Sequence, residues 1–329
     1  MTNSLLHSQR FAHLSDVHLP PEFHIPPHAM LGKRGLSVMS WRRRRARFYR
    51  RETADAVVTD LAGFAPDIIA DTGDLTNFGL PKEFANGAAW LQKMPAPTVV
   101  VPGNHDAMSW GARSQALAAW SRWSAPHIND FPFVRQVGHL AIIGVCSAIA
   151  SPPFMACGRV GTGQLERLQR VLEATRDSCR IVLIHHPVIP GMVAWRKSLL
   201  GWRRVAEVLQ SAGAELVLHG HAHCAATHTV PGTTIPLIGS PSASLRSEKE
   251  ESEAGWNAFT IANERDYWRI ELTRRRITAE GTFQDAGCIC WLRPKPVVPD
   301  NIPARLPRHD GLRLGLRAGN SRMEAVTNA

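Results

Sequence analysis

Short apolar runs that end in polar residues recur along the chain. They are FAHLSDVH at 11–18, DIIADTGD at 67–74, TVVVPGNHD at 98–106, HLAIIGV at 139–145, RIVLIHH at 180–186 and ELVLHGHAH at 215–223. Runs of this length, rich in β-branched residues, predict strands buried on both faces. Between several of them the apolar positions change to a helical spacing. Ala54, Val57, Val58 and Leu61 fall at i, i+3, i+4 and i+7, as do Leu165, Leu168 and Leu172 with Val171 beside them, and Val205, Val208 and Leu209 give another such stripe. Alternating strand and helix predicts an α/β layered domain. From Thr233 to about Trp291 the segments TTIPLIGS, NAFTIAN, DYWRIEL and RITAEGTF are strand-like and separated by charged turns, which predicts an antiparallel sheet. From Arg293 onward the chain is Pro-rich, basic and poor in long apolar runs, the composition of a disordered tail. The expected organisation is one domain over 1–292 and a tail over 293–329, with no internal repeat.

Composition changes this picture in two places. The formal net charge is +10, and Trp is common (10) where Tyr is scarce (2). A basic excess favours anionic partners without bearing on fold. Cys146, Cys157, Cys179, Cys224, Cys288 and Cys290 include no C-x-x-C pair and no zinc-type spacing, so they are expected as reduced thiols of a cytoplasmic protein. No apolar core of signal-peptide length precedes the first motif. The longest uncharged stretch, 140–158, contains Pro152 and Pro153, whereas a membrane span needs about 20 mainly apolar residues.

The informative feature is where the polar residues fall. Asp16 and His18, Asp74, Asn104 and His105, His185, and His221 and His223 each lie at the C-terminal end of a predicted strand. Sites in open α/β sheets form at the carboxyl ends of the strands, where the loops converge. Five distant segments thus deliver carboxylates, imidazoles and an amide to one edge, which no packing requirement demands. Singly, each signal is weak, because Asp-x-His and Gly-Asp are common turns and a lone histidine pair is commonly structural. Together they predict a metal site, and the mixed nitrogen and oxygen donors suit Zn, Fe or Mn better than Ca or Mg.

At these residues the chain resembles the calcineurin-like metallophosphoesterases, whose pattern is D-x-H, G-D, G-N-H-[DE], a strand-ending His, and G-H-x-H. The blocks stand here as DVH (16–18), GD (73–74), GNHD (103–106), His185 in LIHHP and GHAH (220–223), in order and with no ligand substituted. The resemblance spans roughly residues 11–240 and is nearest to the branch containing bacterial cyclic-nucleotide phosphodiesterases. It implies a four-layer α/β/β/α sandwich with two central mixed sheets. It also implies two divalent or trivalent transition-metal ions, with Asp16, His18 and His223 on one, Asn104, His185 and His221 on the other, and Asp74 bridging. His186 and His219 are left as structural residues.

Two cations about 3.5–4 Å apart acidify a bridging water and neutralise phosphoryl oxygens, so in-line attack by hydroxide on a phosphodiester is the expected reaction. The resemblance points His105 at the substrate, to stabilise the transition state or protonate the leaving group. Asp106 is expected either to orient that imidazole or to cap the following helix.

One stretch is left over. Residues 30–51 carry arginines at 42–45, 47, 50 and 51, with Trp41, Phe48 and Tyr49 interleaved. It is either the solvated start of the helix containing Ala54–Leu61 or a flap beside the metal site that meets an anionic membrane or an acyl-bearing phosphate. Nucleic acid is the weakest partner, since no binding motif is present. The expected function is hydrolysis of a nucleotide-type phosphodiester. The alternative is a pyrophosphatase acting at the membrane surface on a lipid-linked substrate such as a UDP-diacylglucosamine-like molecule, and a non-catalytic metal-dependent scaffold is a third reading.

Overall fold

The computed structural model describes residues 8–246 and 253–295. Two six-stranded sheets lie at its centre. The first takes β1 (Ser8–Leu14), β2 (Ile68–Asp71) and β3 (Thr98–Val100) as parallel strands and extends from β1 through β12 (Gly255–Asn263), β13 (Tyr267–Ile277) and β14 (Phe283–Pro294), all antiparallel. The second runs β10 (Thr227–Thr229), β11 (Pro236–Gly239), β9 (Leu216–His219), β7 (Cys179–Ile184), β5 (Leu140–Val145) and β4 (Phe133–Val137). Its four inner strands are parallel and its two edges antiparallel. A small parallel pair, β6 (Gly158–Arg159) and β8 (Leu199–Leu200), stands apart.

The alternation of side chains along each strand makes the layers. Phe11, Ile68, Val99, Ile142, Ile181, Leu183, Leu216 and Leu218 face a core shared by the two sheets. Their neighbours Ala12, Ile69 and Val100 turn outward onto α2 (Arg51–Phe64), α3 (Pro81–Leu91) and α4 (Ala112–Ala119). On the second sheet Ile143, Val182, Ile184 and Val217 turn outward onto α5 (Thr162–Ala174) and α6 (Trp202–Ala212). The predicted stripes of α2, α5 and α6 are the buried faces: Ala54, Val57 and Leu61, then Leu165, Leu168 and Leu172, then Val205 and Leu209. The result is the four-layer α/β/β/α sandwich expected.

Two expectations need correction. The segment TTIPLIGS does not join the antiparallel sheet, since β11 lies parallel to β9 and belongs to the second sheet. Only β12, β13 and β14 form the expected meander, and it extends the first sheet from β1. β14 also carries the chain through Arg293 and Pro294, past the residue at which the tail was expected to begin. The rest of that tail lies outside the described residues.

The basic stretch is a separate helix, α1 (Gly32–Arg43), rather than the beginning of α2. Val38, Trp41 and Tyr49 are buried with Ile25, Phe78 and Leu80 in an apolar cluster of their own. Arg34 donates to Phe78 O (2.8 Å), Gly79 O (3.2 Å) and Ser109 Oγ (2.7 Å), tying α1 to the loops after β2 and β3. Among the described residues no helix is long and apolar enough to cross a membrane.

One buried ion pair joins four elements of the second half. Arg180 and Glu215 meet through Nε–Oε2 (2.9 Å) and Nη2–Oε1 (2.8 Å), and Nη1 donates to Leu172 O on α5 and Ala212 O at the end of α6. Removing one partner strands the other charge in the interior. Glu215→Gln is expected to lower the unfolding free energy by about 3–5 kcal/mol. Urea denaturation checks this, and a loss below 1 kcal/mol would make the pair a bystander.

Candidate metal centre

Each strand ends where its polar residues begin, and the loops that follow keep close company. Asp16 N donates to Gly73 O (2.8 Å), and His18 N to Asp74 O (2.9 Å), so the loops after β1 and β2 run side by side. Gly73 is left-handed (φ +98°), and a Cβ there would stand 2.4 Å from Gly103 N. Only glycine permits that approach of the second loop to the third. Asp16, His18, Asp74, His221 and His223 adopt φ of 53°, 41°, 59°, 65° and 53°. Left-handed backbone is uncommon outside glycine and costs about 1–3 kcal/mol where the surroundings impose it. Five of the seven predicted metal-site residues share this strain.

The side chains converge. Asp16 Oδ2 accepts His221 N–H (2.8 Å), while Oδ1 finds no hydrogen-bond partner although His223 Nε2 is 3.0 Å away. His18 Nε2 is 3.9 Å from Asp16 Oδ1 and 3.8 Å from Asp74 Oδ2. On the other side of Asp74 Oδ2, His185 Nε2 stands at 3.3 Å and 3.2 Å from Asn104 Oδ1. His221 is packed against the His185 ring, centroids 5.1 Å apart. All seven predicted residues are therefore brought together, with Asp74 Oδ2 between two groups of tips.

What holds each ring on its far side decides what its tip can do. His18 Nδ1 donates to Thr76 O (3.0 Å), His185 Nδ1 to Thr72 O (2.7 Å), and His221 Nε2 to Lys197 O (2.8 Å). His223 Nδ1 lies 3.2 Å from Tyr49 Oη. A carbonyl can only accept, so the neutral rings of His18 and His185 present lone pairs at Nε2. Those lone pairs face His223 Nε2 at 3.4 Å and the oxygens of Asp74 and Asn104. Where the facing atom is an oxygen, acceptor stands against acceptor, which in a dry site is repulsive unless a cation or proton lies between them. Ligand atoms about 2.1 Å from one ion stand roughly 3–3.4 Å apart. The separations of His185 from Asp74 and Asn104 and of His223 from Asp16 and His18 fit, while His18 stands wider, 3.8–3.9 Å from the two carboxylates. The nearest substitute for a cation is a proton: burial lowers the His185 pKa, but the charges of Asp74 and Asp16 outweigh it and hold it at about 9.

His105 extends from the same loop. Its backbone N–H binds Asp74 Oδ1 (2.7 Å) and its Nδ1 donates to Asn77 O (2.7 Å), which leaves Nε2 to the cavity. Burial, with Arg45 adding to it, pushes its pKa down to about 4. His186 is within ligating distance of His185 and His221, but both its nitrogens are engaged, Nδ1 by Ser147 Oγ (2.8 Å) and Nε2 by Ala156 O (3.2 Å).

Asp106 does neither of the things expected of it. Its carboxylate does not touch the His105 ring, which Asn77 orients, and α4 begins at Ala112 after Gly111. Instead it is fully buried and accepts from Asp74 N (2.8 Å), Gly103 N (2.9 Å), Thr76 N (3.0 Å) and Thr76 Oγ1 (2.9 Å). It fastens the loop after β3 to the loop after β2. Burial and the Asp74 charge push its pKa up to about 7 against those four donors.

A cavity of about 500 Å³ opens over the cluster. Asp74, Asn104, His105, His221 and His223 form its floor. Lys33 and Arg45 from the basic stretch, with Lys197 from the loop after β7, supply cations on its walls. Sequence reasoning did not single out Lys33 or Lys197, named Tyr49 only as one of three aromatics in the basic stretch, and had Arg45 as one arginine among seven. No local pattern distinguishes them, since only the packing of α1 and of the loop after β7 brings them to the cavity.

A family model described as calcineurin-like phosphoesterase matches residues 9–225. A probable cyclic nucleotide phosphodiesterase of Synechococcus sp. is 24% identical over 223 residues, covering 67% of this chain and 81% of that one. Another of that name, from Rhodococcus erythropolis, is 29% identical over 196 residues, 58% of this chain and 62% of its own. Among solved structures, a dimetal phosphatase from Danio rerio superposes with a TM-score of 0.57 at 13% identity, covering 84% of this chain and 98% of that one, a likeness of fold.

Asp106→Ala removes the acceptor of three buried N–H groups and one hydroxyl. The unfolding free energy is expected to fall by about 3 kcal/mol or more, and by about 1 kcal/mol in Thr76→Val, which deletes one donor. Denaturation curves check both, and equal losses would refute the clamp.

Proposed function

The chain belongs to the calcineurin-like phosphoesterase family and is a metal-dependent phosphoesterase, and from that premise we propose that it hydrolyses a nucleotide-type phosphodiester, a cyclic nucleotide first among them, at a centre of two transition-metal ions. The observation that carries the reading is the ring of lone pairs and carboxylate oxygens 3.0–3.9 Å apart, with Asp74 Oδ2 between its two halves. Asp16, His18 and His223 would hold one ion, Asn104, His185 and His221 the other, and Asp74 both. Mn, Fe or Zn suits this donor set. When bound, the ions would acidify water and neutralise charge at the phosphoryl oxygens.

The remaining work falls to the chain itself. Lys33, Arg45 and Lys197 attract and orient the phosphate anion from the cavity walls. His105, fixed by Asn77 O, presents Nε2 to the phosphoryl group. The free protein keeps that ring neutral, and an anionic phosphate beside it raises its proton affinity, so that Nε2 can carry a proton to the leaving oxygen. Leu36, Met108, Phe154 and Met155 give the cavity an apolar side for a base or another apolar group. The likeness to the Synechococcus and Rhodococcus relatives, both probable cyclic nucleotide phosphodiesterases, favours a cyclic nucleotide.

A second reading, a lipid-linked pyrophosphate, is favoured by one observation: α1 and the arginine after it form a wall of the cavity instead of a solvated helix start. Turnover of 3′,5′-cyclic AMP against a UDP-diacylglucosamine separates the two.

With the protein loaded with Mn, Fe or Zn, bis(p-nitrophenyl) phosphate is expected to be cleaved faster than p-nitrophenyl phosphate. His105→Ala is expected to keep its metal and lose about 10²–10⁴ in turnover. Equal loss of metal and activity would make His105 structural. Asp74→Ala is expected to lose bound metal as well, and an unchanged metal-to-protein ratio by elemental analysis would sink its bridging role.

A further inference from the structure

Among the described residues seven large apolar side chains stand exposed, and five of them lie in or within two residues of the lining of one cavity. Phe154, 77% exposed, lines the cavity itself. Leu31 (77%) lies two residues before Lys33, Trp110 (96%) two after Met108, Trp195 (74%) two before Lys197, and Met39 (44%) beside Ser40, all four neighbours lining that cavity. The segments are tied together: Lys33 Nζ donates to Ser151 Oγ (2.6 Å), Arg34 to Ser109 Oγ (2.7 Å), and Ala156 N to Arg196 O (2.9 Å). Helix α1 and three loops linked to it or to one another therefore carry exposed aromatic or aliphatic residues next to the lining of the active-site cavity.

Two further features set this rim apart from scattered surface hydrophobes. Phe154 adopts φ +65°, a strained conformation for an aromatic residue, and its ring is open to solvent. The four segments are also free of acidic residues: no Asp or Glu occurs in 23–51, 107–129, 147–165 or 185–206. Arg42, Arg43, Arg44, Arg47 and Arg196 stand exposed beside the apolar tips. Trp and Phe at the level of lipid headgroups, flanked by cations that meet anionic phosphates, are the marks of an interfacial surface.

We infer that the rim of the active-site cavity docks on an anionic lipid surface, with Trp110, Phe154, Trp195 and Leu31 entering the headgroup layer and the arginines of α1 and its following turn meeting lipid phosphates. Nucleic acid fits less well, because Leu31 and Met39 offer bases nothing to stack on. The docking surface includes three aromatics outside residues 30–51 and does not depend on which phosphoester is cleaved.

The test is flotation of the full chain with vesicles of phosphatidylglycerol and phosphatidylcholine, against phosphatidylcholine alone, for the unmodified protein and for W110S/W195S. Both indoles are exposed, so the thermal midpoint of the variant is expected to match that of the parent. The parent is expected to float with the anionic vesicles only, and the variant's bound fraction to fall about tenfold or more. Quenching of the parent's tryptophan fluorescence by brominated lipid reads the same contact with no substitution. Absence of binding to anionic vesicles overturns the inference. So does binding that W110S/W195S leaves unchanged, which would assign the contact to charge elsewhere on the chain.

Discussion

A carboxylate taken out of water must be met by donors or by positive charge, and this protein buries a group of them at one edge of its sheets. Asp16, Asp71, Asp74 and Asp106 are all nearly or wholly inaccessible, with His18, His185 and His186 among them. An unpaired ion in that position costs several kcal/mol. Much of the local architecture answers that cost. Asp106 gathers four donors from two loops, Asp74 takes the His105 amide, and Asp16 takes the His221 amide. Asp16 Oδ1 and Asp74 Oδ2 are left facing imidazole tips, and the strained backbone of five residues holds them there.

Much of the frame was legible in the sequence because burial on both faces leaves a plain signature. The runs ending at Leu14, Asp71, Val100, Ile184 and His219 became strands, and the stripe from Ala54 to Leu61 became the buried face of α2. The five polar blocks were legible as a set because their position at strand ends is itself a pattern. What the sequence did not disclose depends on tertiary contacts. The parallel pairing of β11 with β9 is decided by which neighbour is free at the sheet edge, and an apolar run carries no direction. The work of Asp106 could not be read because its partners are main-chain amides, which have no letter in the sequence. The left-handed conformations of Asp16, His18, Asp74, His221 and His223 were invisible for the same reason.

The basic stretch shows how composition misleads at short range. Arginines in a row suggest a solvated face, yet α1 is anchored by a few apolar side chains, Val38, Trp41 and Tyr49, and by Arg34 bonded to the loops after β2 and β3. Those contacts turn Lys33 and Arg45 toward the cavity and leave Arg42, Arg43 and Arg44 outside. One short segment thereby places cations both inside the site and around its opening.

The contact between Tyr49 Oη and His223 Nδ1 has a thermodynamic reach beyond its length. Through it, and through the edge of the Tyr49 ring against His18 (centroids 5.1 Å apart), a residue of the basic stretch touches the inward-facing imidazoles directly. A ligand held by His223 in its present orientation would meet a ring that Tyr49 supports from behind, and Tyr49 in turn packs against Trp41, ring centroids 5.6 Å apart. Were the two coupled, reciprocity would make whatever steadies that cluster from outside strengthen the hold on the ligand within by the same factor. The wall that the basic stretch builds and the floor of the site thus share one side-chain contact, through which a change on either side would first be felt on the other.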